Sequence, residues 1–216
     1  SDKEFAKKQY NEYINLVERL KANDLDIPIR HMSNSAGIID LPEYNLNVVR
    51  AGIMLYGLLP SKDVKIQNIN LKPTMTLKTR ISNIRIVPKG VPISYNRRYV
   101  TDKITTVATV PIGYADGFSR ILTDKAYMSV DGQKVKVIGN ICMDQCMLDV
   151  TGIEDIYIGK EVEVFGSNKN VNSVDDLARE LETINYEIIC MVSRRVPRVY
   201  KKGTNIVKVV NYLRRN

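Results

Sequence analysis

One tyrosine in the middle of the chain lies among polar and basic residues that could support acid–base chemistry. The segment reads Ser94-Tyr95-Asn96-Arg97-Arg98. A tyrosine phenol has a reference pKa of about 10, so it serves as a base only where nearby cations or hydrogen bonds stabilise the phenolate. Arg97 and Arg98 carry suitable charge, but adjacent residues on a strand face opposite sides. The spacing alone therefore favours a surface tyrosine beside solvated arginines over a catalytic base.

Small polar residues follow two short apolar runs near the start of the chain. Asn34-Ser35-Ala36 follows the first run, and Val49-Arg50-Ala51-Gly52-Ile53 ends the second. A hydroxyl and free backbone N–H groups at the ends of parallel strands can cradle a phosphate. An ordinary turn with glycine packing explains the same residues, and on the pattern alone it is favoured.

Two later segments combine glycine, tyrosine and acidic residues: 111–117, with the sequence PIGYADG, and 141–145, with the sequence ICMDQ. Loops of this composition after buried strands often carry function. Cys142 could act as a nucleophile, but the single histidine, His31, gives it no evident base. Three cysteines without CxxC spacing and one histidine predict neither a disulfide framework nor a metal site, and they indicate a reducing compartment such as the cytoplasm.

The net charge of +8 is confined to one end of the chain. Residues 194–216 contain eight Lys and Arg and no acidic residue, whereas the remaining 24 basic residues balance 24 acidic ones. No nucleic-acid motif accompanies this excess, so a solvated basic edge is favoured over a nucleic-acid surface. No apolar run approaches the roughly 18–20 residues that cross a bilayer, which predicts no membrane segment.

The pattern of predicted secondary structure changes near residue 70 and divides the chain there. Before it, helical periodicity over 2–22 and short apolar runs at 26–30 and 46–50 indicate a helix followed by two strands, the rhythm of parallel α/β units. These units are too few to close a barrel, which needs about 250 residues. Residues 1–70 are therefore predicted to be the C-terminal units of an α/β barrel.

Residues 71–216 are predicted to form a mainly antiparallel, barrel-like β domain with one inserted helix. The helix should begin at Ser173, with Asp176 completing a capping box and Leu177, Leu181 and Ile184 on one apolar face. Residues 130–133, with Asp-Gly at the centre, predict a tight hairpin. The predicted strands are 77–87, 105–111, 126–130, 134–138, 146–150 and 161–165, with a closing β segment after Val196.

Taken in order, these clusters resemble alanine racemase over the whole chain. The matching motifs are His-x-x-Asn-Ser-Ala at 31–36, Val-Arg-x-Gly-Ile at 49–53, Tyr-Gly-Leu at 56–58, Ser-Tyr at 94–95, PIGYADG at 111–117, ICMDQ at 141–145, Thr-Ile-Asn-Tyr-Glu at 183–187 and Arg-Arg-Val-Pro-Arg at 194–198. The resemblance implies a homodimeric isomerase that interconverts L- and D-alanine, supplies D-alanine for peptidoglycan, and shares its active sites between subunits.

The resemblance also implies pyridoxal phosphate as the cofactor. Ser35, the backbone of Gly52 and Ile53, and Tyr186 would contact its phosphate. Arg50 would face the pyridine nitrogen, and because an arginine stays protonated, that nitrogen would remain unprotonated and withdraw electrons less strongly. Such a weaker electron sink would help to confine the cofactor to racemisation.

The resemblance assigns one of two bases to Tyr95. This residue would remove the α-proton on one face of the substrate, while the cofactor lysine works on the other face. The backbone N–H of Met143 would meet the substrate carboxylate, and Tyr114 and Asp144 would line the entrance.

This chain departs from the family pattern at several places. The cofactor lysine belongs to a Lys-Ala-Asn-Ala-Tyr-Gly-His motif, of which Lys21-Ala22-Asn23 copies only the first letters at the end of a helix. We therefore predict that the chain alone is incomplete and inactive. The family also usually has glycine after the catalytic tyrosine and arginine before ICMDQ, where this chain has Asn96 and Asn140.

Two alternatives stay open at this point. A serine racemase domain of a membrane-anchored relative would need a smaller polar residue at position 186, so Tyr186 favours alanine. A non-catalytic partner subunit would keep the fold without the chemistry.

Overall fold

The computed structural model describes residues 3–65 and 69–214, and the chain divides into two compact units, Ser1–Met75 and Thr76–Asn216. The sequence analysis predicted a division near residue 70. Within the described part of the chain, no helix is both long enough and apolar enough to span a lipid bilayer.

The first unit begins with helix α1 (Lys3–Lys21), as the periodicity predicts. A short helix α2 (Ser35–Asp40) and 3₁₀ turns at Pro42–Tyr44 and Ile53–Tyr56 follow it. Two contacts tie α1 to this second part: Tyr10 stacks on Tyr44, and the amine of Lys3 lies 2.9 Å from a carboxylate oxygen of Asp40.

The two predicted strands of this unit, 26–30 and 46–50, do not form as strands. Only one parallel bridge joins the two segments, between His31 and Val48. The N–H of Val48 donates to Arg30 O at 3.2 Å, and the N–H of Arg50 donates to Ser33 O at 2.9 Å. In the described part of this unit the two segments share this single bridge, so their direction is parallel as predicted but no strand forms.

The second unit is built on a seven-stranded antiparallel sheet with the order β1-β9-β6-β7-β8-β5-β2. Its first and last strands, β1 and β2, are consecutive in the chain, so the sheet curls into a half-barrel. The predicted fold class is confirmed in this respect. The strands of the unit are β1 (Leu77–Arg80), β2 (Asn83–Val87), β3 (Pro92–Ile93), β4 (Tyr99–Val100), β5 (Thr105–Val110), β6 (Tyr127–Val130), β7 (Gln133–Ile138), β8 (Cys146–Asp149), β9 (Glu161–Phe165), β10 (Arg198–Lys202) and β11 (Asn205–Val210).

The single strand predicted over 77–87 is two strands, because the chain changes sheet edge in its middle. Ile81 N–H donates to Lys160 O, next to β9, and Ser82 N–H donates to Thr109 O in β5. The predicted hairpin is present: β6 and β7 pair through Val130 and Gln133, with positive φ at both central residues, as a type I′ turn requires.

Two helices stand where the sequence analysis predicted one. Helix α3 (Val174–Glu180) has the predicted capping box between Ser173 and Asp176, and it ends at Leu181. A second helix, α4 (Asn185–Met191), starts after Ile184. Ile184 is 61% exposed and caps α4, so its assignment to the apolar face of the first helix was wrong. Strands β10 and β11 pair only with each other, outside the seven-stranded sheet.

Candidate functional site

In the first unit, Ser35 links the two segments that the sequence analysis connected with phosphate. Ser35 is the first residue of helix α2, and the side chain of Asn34 caps this helix by accepting a hydrogen bond from Gly37 N–H. Ser35 is 3% exposed, and its Oγ accepts from the N–H of Gly52 at 3.0 Å and of Met54 at 3.5 Å. Ile53 begins the 3₁₀ turn between these two donors. The structure therefore brings Ser35, Gly52 and Ile53 together.

Arg50 lies on the same extended segment and contacts the only histidine of the chain. One guanidinium nitrogen of Arg50 is 2.9 Å from Nδ1 of His31. A guanidinium can only donate, so Nδ1 must be the acceptor and the proton of the imidazole lies on Nε2. The sequence analysis considered His31 only as a base for Cys142 and did not predict this pairing.

In the second unit, Tyr95 stands on a tight loop between β3 and β4. Its side chain is 70% exposed, and the residue opens a 3₁₀ turn, Tyr95–Arg97. Ser94, Asn96 and Arg97 all have positive φ, at 66°, 62° and 51°. Asparagine tolerates the left-handed region better than most residues, which fits the positive φ of Asn96.

The sequence analysis assumed that the arginines beside Tyr95 lie on a strand, but they lie in and directly after the 3₁₀ turn. Arg98 donates from Nε to a carboxylate oxygen of Asp124 at 2.6 Å, so its charge is paired with an acidic residue outside the Tyr95 loop. The Tyr95 loop is instead fixed by Asn140, whose side-chain Nδ2 donates to Tyr95 O at 2.7 Å.

Tyr114 and Met143 come together because their two loops pair through the backbone. Tyr114 N–H donates to Cys142 O at 3.1 Å, and Ala115 N–H donates to Met143 O at 2.8 Å. Position 113 requires glycine, because a Cβ there would overlap the carbonyl oxygen of Cys142. This contact brings the PIGYADG and ICMDQ segments side by side.

A buried carboxylate that the sequence analysis did not single out holds the first of these loops. Asp116 accepts from Gly113 N–H at 2.9 Å and lies 2.7 Å from Nε of Arg195. The acidic residue in a run flanked by two glycines was the available signal, together with the basic segment near residue 195 that could neutralise it.

A cleft of about 430 Å³ is lined by most of the second-unit residues that the sequence analysis assigned to the site. Tyr95 also borders a second cleft, of about 440 Å³, on the neighbouring face of β2 and β5. Arg120, which sequence reasoning missed, contributes a cation to the first cleft. The first cleft is lined by Tyr95, Asn96, Tyr114, Arg120, Asn140, Ile141, Cys142, Met143, Asp144 and Gln145.

Tyr186 lies elsewhere in the second unit, on the first turn of α4, and does not line that cleft. It is half-buried, and this burial raises the pKa of its phenol, so the hydroxyl stays protonated and is able to donate. Its neighbour Asn185 anchors α4 by donating to Asp175 at 2.8 Å.

The three cysteines lie in different surroundings. Cys142, Cys146 and Cys190 are free thiols, and burial raises the pKa of Cys146 well above its ordinary value. Among residues 3–65 and 69–214, no group of three or more His, Cys, Asp or Glu side chains is placed to hold a metal ion.

The sequence of both units matches the models of a known family. The family model for the alanine racemase C-terminal domain matches residues 74–200, and the model for the alanine racemase N-terminal domain matches residues 1–60. The chain belongs to the alanine racemase family. The alanine racemase of Clostridium perfringens (strain SM101) is 48% identical over 213 residues, covering 98% of this chain, and that of Methanococcus maripaludis is 47% identical over 201 residues. The chain spans about half the length of these racemases, 55% and 54% respectively.

Solved alanine racemases share the fold. The Clostridium difficile 630 enzyme in complex with cycloserine has a TM-score of 0.93 and 45% identity, over 98% of this chain and 56% of its own. The Bacillus anthracis enzyme with bound L-Ala-P has a TM-score of 0.90 and 36% identity, over 98% of this chain and 55% of its own.

Proposed function

We propose that this chain is the C-terminal part of an alanine racemase that uses pyridoxal phosphate to interconvert L- and D-alanine, supplying D-alanine for peptidoglycan. Residues 1–70 would complete the cofactor-binding barrel, and residues 71–216 would supply the β domain. The observation that carries the proposal is the exposed Tyr95 side chain, on a loop held at the edge of the cleft that also contains Met143. The relatives named above are all alanine racemases, so neither the serine racemase nor the structural-subunit alternative gains support.

The first unit fits the phosphate of pyridoxal phosphate. The Ser35 hydroxyl is buried and accepts from Gly52, yet among the described residues it donates to no acceptor. A phosphate oxygen would accept that proton, and the N–H groups at the start of the 3₁₀ turn, including that of Ile53, would add donors. The protonated hydroxyl of Tyr186 would be a further donor.

Arg50 would face the pyridine nitrogen, held in place by Nδ1 of His31. Pyridoxal phosphate withdraws electrons from the α-carbon of a bound amino acid, which makes the α-proton removable. A cationic donor beside the ring nitrogen keeps that nitrogen unprotonated and moderates the withdrawal.

Racemisation needs a proton to leave one face of the α-carbon and another to arrive on the opposite face. Tyr95, as phenolate, would take the α-proton from one enantiomer and, as phenol, return a proton to the same face in the reverse direction. The N–H of Met143 would orient the substrate carboxylate, and Tyr114 and Asp144 would limit access to the cleft.

The same proposal includes a homodimer whose subunits share active sites, and a cytoplasmic location. Three free cysteines are consistent with a reducing compartment. The base for the second face of the substrate would be a lysine upstream of this chain, because Lys21 ends helix α1.

The decisive experiment uses the chain joined to the upstream segment that its relatives have, from its own gene or from the Clostridium perfringens relative. We call this protein the complete enzyme. With pyridoxal phosphate it should convert L-alanine to D-alanine, measured by chiral chromatography, and serine should react more slowly. Absence of alanine racemisation by a folded complete enzyme would refute the proposal.

The 216-residue chain alone is the control and should show no racemisation. After incubation with pyridoxal phosphate and borohydride, peptide mapping should find no stoichiometric label on Lys21. Such a label would identify Lys21 as the cofactor lysine and overturn its rejection.

A further inference from the structure

We propose that Asn140 is the positioning residue of the Tyr95 base, an inference that rests on the proposed racemase function. Asn140 would hold the backbone of the Tyr95 loop in the one conformation that presents the phenol to the substrate. Although Asn140 borders the cleft, it is only 4% exposed, and in this proposal it acts through Tyr95.

Asn140 binds the loop at two successive residues. Its side-chain Nδ2 donates to Tyr95 O at 2.7 Å, and its own backbone oxygen accepts from Ser94 Oγ at 2.7 Å. A carbonyl oxygen can only accept, so the amide nitrogen of Asn140 must face Tyr95. These two bonds form a clamp that holds the side chain of Ser94 and the peptide group that follows Tyr95.

Apart from the clamp, a side-chain ion pair between Arg98 and Asp124 holds the end of the loop, three residues after Tyr95. Strands β3 and β4, which flank it, pair over only two residues each. Ser94, Asn96 and Arg97 occupy the left-handed region, which side-chain-bearing residues adopt only when their surroundings enforce it. The Tyr95 ring is largely exposed, so its own packing cannot fix the loop.

Asn140 is itself rigid, which lets it serve as an anchor. It is 4% exposed and lies two residues after the end of β7, a strand of the seven-stranded sheet. The next residue, Ile141, donates its N–H to Thr123 Oγ1 at 3.2 Å. On the other side, Gly139 has φ 70° and lies so close to Ile93 O that a Cβ would stand 2.7 Å from it. The position of the base is thereby tied to the half-barrel.

The test compares Asn140→Ala with Asn172→Ala in the complete enzyme. Asn172 is the matched control: it accepts from Tyr127 N–H at 2.6 Å in the same unit, away from Tyr95. Both changes remove a structural hydrogen bond, and both should lower the thermal midpoint. Only Asn140→Ala should lower kcat, by about 10- to 100-fold, because a displacement of about 1 Å has that effect. Its KM should change by less than about twofold, since in this proposal Asn140 acts through Tyr95 and not on the substrate.

Asn140→Asp keeps the shape and tests the hydrogen bond directly. A protonated carboxyl can donate to Tyr95 O, whereas a carboxylate cannot. Relative to the unsubstituted enzyme at each pH, the Asp variant should therefore be most active in acid and lose activity as the carboxyl ionises. Asn140→Ala should show no such recovery.

A spectroscopic readout does not depend on turnover. With ¹³Cζ-labelled tyrosine, the Tyr95 signal is the one missing in Tyr95→Phe. It should shift or broaden in Asn140→Ala and stay unchanged in Asn172→Ala.

The outcomes separate the inference from the proposed function. If Tyr95→Phe keeps full activity, the role of Tyr95 fails and the inference fails with it. If Tyr95→Phe is impaired but Asn140→Ala retains its kcat and the Tyr95 signal, the positioning role alone is refuted. Equal loss of kcat in Asn140→Ala and Asn172→Ala would reduce Asn140 to a structural residue. If Asn140→Ala does not fold, a flat relative pH profile of Asn140→Asp refutes the inference.

Discussion

Tyr95→Phe in the complete enzyme isolates the phenol hydroxyl from everything else that the residue does. The ring is 70% exposed, and in the described part of the chain its hydroxyl makes no hydrogen bond. The free energy of unfolding should therefore change by less than about 0.5 kcal/mol, as for other surface substitutions. The backbone clamp from Asn140 binds the carbonyl oxygen, which the substitution leaves in place.

Activity should change far more than stability. A positioned general base contributes about 10²- to 10⁴-fold, which corresponds to about 3–5 kcal/mol in the activation free energy. Racemisation in both directions should fall by this factor, since each direction needs the Tyr95 face once. The opposed lysine remains, so proton removal from one enantiomer should survive.

The assay measures α-proton exchange in D₂O separately for L- and D-alanine, alongside racemisation by chiral chromatography. The enantiomer served by the lysine should keep exchanging, while exchange from the other should fall with racemisation. Thermal unfolding in parallel controls for folding. Equal losses of exchange from both enantiomers would contradict a two-base assignment.

Three further outcomes are expected. Tyr186→Asn should raise the ratio of kcat/KM for serine over alanine by about 10- to 100-fold. The hydroxyl of a bound serine, buried without a partner, costs about 1–3 kcal/mol, and the asparagine would provide that partner. An unchanged ratio would show that Tyr186 does not select between the two substrates. Ser173→Ala should cost about 1 kcal/mol in denaturant unfolding through loss of the α3 cap. Burial alone would raise the pKa of Asp176, but hydrogen bonds from Ser173 and Arg179 outweigh it and lower the pKa below 3.8. The loss of unfolding free energy in Ser173→Ala should therefore be complete above pH 3.8 and shrink as acid protonates Asp176. A loss that stays constant down to pH 2 would contradict this reasoning. Asn96→Ala should destabilise by about 1–2 kcal/mol and Asn96→Gly should not, since φ is 62°; equal thermal midpoints for the two variants would count against this reading.

Local signals in the sequence predicted the elements whose geometry is decided locally. The Asp131-Gly132 pair specifies a two-residue turn because both residues tolerate positive φ, and the hairpin forms there. The Ser173 and Asp176 spacing fixes the start of α3 for the same reason: the donors that need capping are only three residues away.

Elements whose geometry depends on distant partners were missed. The 26–30 and 46–50 runs have strand-like composition, but a parallel strand needs neighbours that the described first unit does not contain. Ile184 fits a helical period with Leu177 and Leu181, but α3 ends at Leu181 and the chain turns before α4. Periodicity alone cannot detect a break between two helices that share an apolar spacing.

The candidate site divides in the same way. Tyr95, Tyr114, Met143 and Asp144 were recognisable from motifs and do line one cleft, whereas Arg120, Asp116 and Asn140 matter through partners remote in the chain. The sequence contains no local signal for an arginine that turns into a cleft formed by residues 20 positions away.

The two departures from the family pattern in this region, Asn96 and Asn140, act on the same peptide group. Tyr95 O, which accepts from Asn140, belongs to the peptide bond whose nitrogen is that of Asn96. A residue with a side chain at φ 62° limits the rotation of that peptide from one end, and a fixed donor limits it from the other. Glycine at position 96 would supply the same φ without restricting it, and would leave the carbonyl of Tyr95 freer to turn. The two asparagines therefore act together: a stiffer residue follows Tyr95, and a fixed donor selects the orientation of the peptide group between Tyr95 and Asn96.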